Sequence, residues 1–135
     1  MNEYLFISHI FVVLIFTLIS LRLGKYALFA LICSQAIFAN LFVLKQITCF
    51  SLSITCCDVF VISGTLGLNL MQEYYGAKIA KKAAVASFLL MIFFAAISKI
   101  HLLYIPNSFD TTHDSYYTIL SQTPRILAAS LFSFF

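Results

Sequence analysis

From Tyr4 to Leu21 the chain carries no charged side chain, and Arg22 and Lys25 close the stretch. Tyr26 to Leu44 is again uncharged and ends at Lys45. A bilayer-crossing helix takes ~20 mostly apolar residues, so these stretches predict spans over 4–21 and 26–44, joined by a short basic turn. The rhythm changes between 46 and 57. Thr48, Ser51, Ser53 and Thr55 recur there, and Ser51 to Thr55 alternates. This segment reads as an extracytoplasmic loop or a re-entrant piece. A third span over 58–75 stops at Gly76, a residue suited to ending a helix. The basic turn holding Lys78, Lys81 and Lys82 leads to a fourth span over 83–105, closed by Pro106. Asn107 to Thr118 is a polar connection. A last apolar run over 123–135 is a partial fifth span, about half a crossing. The expectation is a single integral membrane domain over 1–135: an all-α, polytopic transmembrane helix bundle with four full spans and a partial fifth.

Composition sharpens this picture. Hydrophobic residues make up 62% of the 135 and charged residues 10%, against roughly 45–50% and about 25% in a typical soluble domain. A soluble monomer would leave too much apolar surface in water, and disorder needs the opposite composition. The net charge of +3 is scattered, which gives no basic stripe for nucleic acid. Five Lys and Arg residues (Arg22, Lys25, Lys78, Lys81, Lys82) fall on the inner side if the N-terminus is outside, against Lys45 and Arg125 on the outer side. That distribution favours an outside N-terminus in a cytoplasmic membrane. Glu3 stands where a signal peptide would be positive, and no A-x-A-like cleavage site follows.

Polar residues inside a bilayer cost a few kcal/mol unless they are paired or line a wet cavity, so they mark candidate chemistry. Asn69 and Glu73 are four apart and share a helix face. With Gln72 and Tyr75 they make a polar patch at the inner end of the third span, or an interfacial helix end. Asn40 and Lys45 close the second span. Lys99 and His101 lie toward the outer end of the fourth, where a lysine can snorkel. Pro124 suits a first helical turn, which places Arg125 at the outer surface, facing lipid headgroups or a planar ligand. His9 reads as a packing histidine. Cys33, Cys49, Cys56 and Cys57 lack the paired spacing of a zinc site and read as small packing residues. The Gly64–Gly67 stretch and Ala80/Ala84 suggest close helix packing. His113 with Asp110 and Asp114 sits in a polar loop without further ligands, so no metal or cofactor is expected. No nucleophile elbow, H-E-x-x-H or phosphate-cradling loop is present, and no enzyme is expected.

Two runs carry a family resemblance: Ala39-Asn40-Leu41-Phe42-Val43-Leu44-Lys45, and Asn69-Leu70-Met71-Gln72-Glu73-Tyr74-Tyr75-Gly76-Ala77-Lys78-Ile79-Ala80. With the later Arg125 and Ser130, they make the chain resemble the Vut-type vitamin uptake family, whose members are described as queuosine precursor transporters. Asn69 departs from the Asp that the family pattern has there. Family members are longer, with spans beyond the point where this chain stops, which implies a truncated or split gene or a fragment.

The resemblance implies import of 7-deazaguanine bases, such as queuine or 7-cyano-7-deazaguanine, across the inner membrane for tRNA modification. It also implies site roles. Glu73 would accept from a ring N–H and an exocyclic amine, Asn40 and Asn69 would read a neighbouring edge, and Arg125 or Lys45 would face the ring carbonyl. The partners implied are a nucleobase-like substrate and the lipid bilayer, with a homo-oligomer or C-terminal spans supplied in trans. Two other readings are a substrate-capture subunit that needs an energising partner, and a truncated inactive membrane protein.

Overall fold

The computed structural model describes residues 1–134. Its elements in chain order are α1 (Asn2–Leu23), α2 (Lys25–Phe42), β1 (Gln46–Cys49), β2 (Leu52–Thr55), α3 (Asp58–Tyr75), α4 (Ala77–Leu103), α5 (His113–Leu120) and α6 (Thr123–Phe134). Among the described residues, α1, α2 and α4 are long and apolar enough to cross a membrane. Helix α3 is as long as α2, about 27 Å at 1.5 Å per residue. Asp58, Asn69, Gln72 and Glu73 make it less apolar.

The structure departs from an all-α chain in one place. Strands β1 and β2 form an antiparallel hairpin in the segment read as a loop or re-entrant piece, with Cys49 opposite Leu52 and Gln46 opposite Thr55. Alternation of β-branched Ile and Thr with polar neighbours suits a pleated ribbon. The two turn residues, Phe50 and Ser51, both have positive φ, 50° and 63°. A two-residue turn of this kind matches the twist of the flanking strands.

Two other stretches differ from expectation. Lys78, Lys81 and Lys82 lie in the first two turns of α4 instead of in a connecting turn, because Gly76 alone (φ 91°) separates α3 from α4. Ala and Lys are strong helix formers. The polar connection after Pro106 contains α5, a two-turn helix that rests its Leu120 inward.

Contacts between elements set which ends lie together. Tyr75 Oη donates to the carbonyl of Leu21 at 3.3 Å, which places the ends of α1 and α3 side by side. At the other end, Asn2 Nδ2 donates to the Thr48 carbonyl at 3.0 Å and the Phe50 N–H to Glu3 at 3.4 Å. The rings of His101 and Tyr116 pack edge to face at 5.5 Å, so α5 also caps this hairpin end. The Asp58 carboxylate accepts from the Thr55 N–H and hydroxyl, at 3.1 and 2.8 Å, and so locks β2 to the start of α3.

Polarity is inverted relative to a water-soluble bundle. Phe11, Ile15, Phe16, Phe93 and Ile100 are exposed, while Thr17, Gln35, Asn40, Ser63, Ser87 and Ser98 are buried. Small and hydroxylated residues at helix contacts are what packing within lipid uses. Thr17 and Ser63 hydroxyls meet at 3.4 Å between α1 and α3. Ser87 donates to the Ala83 carbonyl within its own helix and faces Cys33 Sγ at 3.7 Å. Leu28, Ile32, Met71, Ala80 and Ala83 form the core toward the basic end. Leu127 of α6 packs on Met91 and Ala95 of α4. His9 stacks edge-on against Phe60 at 4.8 Å, as a packing histidine does. Cys33, Cys49 and Cys57 are buried free thiols, and burial pushes the Cys57 thiol up from its ordinary range.

Candidate functional site

Helix α2 lays Ile32, Ala36, Ala39 and Asn40 along one side of a cleft of about 230 Å³. The opposite walls come from α3, α4 and the single residue Ser130 of α6. The small side chains at 36 and 39, and the missing one at Gly64, are what leave this space. Val61 and Thr65 line it and are exposed, so the cleft opens along α3. For scale, a dry cavity of ~150 Å³ holds benzene, so the cleft has room for a bicyclic ring. Among the described residues no charged one lines it.

Asn40 is the polar centre of the cleft. Its Nδ2 donates to the Ala36 carbonyl at 2.8 Å and to Met91 Sδ at 3.0 Å. Both amide protons are therefore used, and exchanging O for N would set two oxygens against each other. Oδ1 is buried without a partner. A buried unpaired acceptor costs ~1–3 kcal/mol, which a donor from a ligand or a water would recover.

The other expected site residues lie elsewhere. Asn69 and Glu73 are both exposed on the outward side of α3, near the basic end. Lys45 is exposed in the link from α2 to β1, where its carbonyl accepts from the Cys56 N–H at 2.9 Å. Arg125 is exposed in the first turn of α6, and Ser130, five residues on, reaches the cleft. The structure thus joins Asn40 with Ser130, and does not bring Lys45, Asn69, Glu73 and Arg125 into the same space.

Gln35 was absent from the sequence-based set. It is buried, its Oε1 has no partner, and a Cβ built on Gly64 would lie 3.7 Å from that oxygen. The signal was available: an amide mid-way along a mostly apolar span is itself the expensive feature.

A second, polar cavity of about 240 Å³ lies at the hairpin end between His101, Tyr104, Asn107, Asp110 and His113. The Asp110 carboxylate is already engaged there. It accepts from the Thr112 N–H at 2.8 Å and the Thr112 hydroxyl at 2.9 Å, and these bonds hold it below the usual carboxylate range. Among the described residues no three His, Cys, Asp or Glu side chains come together as a metal site.

A bundle of apolar helices with polar groups turned inward around a cleft defines the class: a helical membrane protein. Residues 58–135 match the family model described as "Putative vitamin uptake transporter", which is more than half of the chain, and the chain belongs to that transporter family. It is also 30% identical over 128 residues to the "Probable queuosine precursor transporter" of Bacillus subtilis (strain 168), covering 95% of this chain. The chain spans about half the length of that relative, 55%. No solved structure matches it.

Proposed function

We propose that the chain imports queuosine precursors, 7-deazaguanine bases, across the inner membrane for tRNA modification. The observation that carries the reading is the buried, unpartnered Asn40 Oδ1 in an uncharged cleft of bicycle size, within a family of uptake transporters. A 7-deazaguanine is flat and neutral, and its N1–H and exocyclic amine are donors that such an oxygen lacks. The Phe88 side chain adds an apolar stretch to the cleft wall. In this reading α1, α2, α3 and α4 each cross the bilayer and α6 enters as a fifth, with the N-terminus outside. Asn69 and Glu73 then stand at the inner approach, and Lys45 and Arg125 at the outer mouth.

The test is queuosine in the tRNA of a host that lacks its own synthesis and importer, supplied with limiting precursor. Modified tRNA that depends on expression of this chain is the expected result. Unmodified tRNA, with the protein confirmed in the membrane, overturns the reading.

A further inference from the structure

Asn40 leaves an oxygen unpaired because its nitrogen is held twice. The Ala36 carbonyl, one turn back on α2, takes one Nδ2 proton at 2.8 Å, and Met91 Sδ of α4 takes the other at 3.0 Å. The first bond alone does not fix the group. The terminal torsion of an asparagine is broad, so an amide tied at one point can swing about that bond and carry Oδ1 away from the cleft. A second tie, on another helix, fixes the amide plane. A thioether is a weak acceptor, but this one belongs to a cleft-wall residue that is itself 7% exposed. Met91 packs with Ala95 and Leu127, and Ala36 and Phe88 close on the same cluster. Contacts from α2, α4 and α6 therefore hold the sulfur in place.

We infer that Met91 is a positioning residue: its sulfur locks the Asn40 amide so that this point of the cleft offers an acceptor and no donor, which favours a planar base that turns an N–H toward α2. This rests on the transport reading of the same cleft and adds the residue that sets how the base is met. A ring that turns a carbonyl or an unprotonated nitrogen toward Asn40 meets lone pairs with lone pairs. The amide cannot turn over to serve such a ring without giving up its bonds to Ala36 and Met91. Leucine in place of Met91 nearly conserves volume and removes the acceptor. The amide is then tied only to its own helix, and one of its protons is left unpaired.

The experiment uses the full chain in lipid nanodiscs with 7-deazaguanine as the probe, and compares Met91→Leu, Asn40→Leu and the double variant. Met91→Leu should keep a thermal midpoint close to that of the wild type and bind about fivefold more weakly. Asn40→Leu should bind about tenfold more weakly. The double variant should bind no more weakly than Asn40→Leu, since a sulfur that acts through the amide then has nothing to act on. Losses that add would mean that Met91 only packs, and overturn the lock. A second readout needs no ligand. The chain has four asparagines, Asn2, Asn40, Asn69 and Asn107, so isotope-labelled asparagine isolates the Asn40 side-chain amide by magnetic resonance. Its protons should exchange with deuterium slowly in the wild type and several-fold faster in Met91→Leu. Equal exchange, or a Met91→Leu variant that binds as tightly as the wild type, overturns the lock and leaves the transport reading standing. Wild-type protein that does not bind 7-deazaguanine overturns the transport reading and the positioning role with it.

Discussion

Gly64 and Gly67 sit three residues apart on α3 and do different work. At Gly67 a Cβ would lie 2.8 Å from Ile32 Cγ1, so the absent side chain is what lets α2 and α3 approach. At Gly64 there is ordinary room, and the absent side chain opens the cleft. Gly67→Ala should therefore destabilise the protein by about 1–3 kcal/mol through overpacking, whereas Gly64→Ala should change stability by no more than about 0.5 kcal/mol; unfolding midpoints in detergent compare them. Glu73 poses a different question, since it faces outward near the basic end. On the proposed roles, Glu73→Gln loses precursor uptake at normal membrane levels, and unchanged uptake removes the residue from the site. At this scale Asn40 was legible because an amide near the end of an apolar span has few other reasons to be there. Gln35 was passed over, and its burial and unpaired oxygen show only once α2 is packed against its neighbours.

The hairpin shows how an element can be missed. Its strands are four residues each and their alternation is short, so a membrane-length ruler passes over them. Turn chemistry gave no warning either, because Phe50-Ser51 replaces the usual Asn-Gly with residues that resist positive φ. Substituting Asn-Gly for Phe50-Ser51 should stabilise the hairpin by about 1 kcal/mol, since left-handed conformation costs ordinary residues ~1–2 kcal/mol each. Slower hydrogen exchange at the strand amides is the readout. The bond from the Phe50 N–H to Glu3 is a backbone bond and survives the change. The long helices were legible from the absence of charge alone. Helix α5 was not, because eight residues around His113 to Leu120 are too few for a periodic signal to rise above a polar loop.

Charge divides along the bundle axis. The end where α1 meets α2 and α3 meets α4 carries Arg22, Lys25, Lys78, Lys81 and Lys82 with Glu73. The hairpin end carries Lys45, Lys99 and Arg125 with Glu3, Asp58, Asp110 and Asp114. By the positive-inside rule the basic end is expected to face the cytoplasm. In a background with the native cysteines replaced, Lys45→Cys should react with a membrane-impermeant maleimide added to intact cells, and Lys81→Cys only after permeabilisation. The reverse pattern would invert the orientation.

The links between helices are as uneven as the charges. At the basic end each helical pair is joined through one glycine, Gly24 (φ 111°) and Gly76 (φ 91°). The hairpin end is joined by a β-ribbon and by the long stretch around α5. The chain therefore has slack at one end of the bundle and none at the other. Helices tied this closely can pivot at the basic end but cannot part there, while the opposite ends have enough chain to spread. Within each pair, α1 with α2 and α3 with α4, covalent length confines any breathing to a fan-like opening that is widest at the hairpin end.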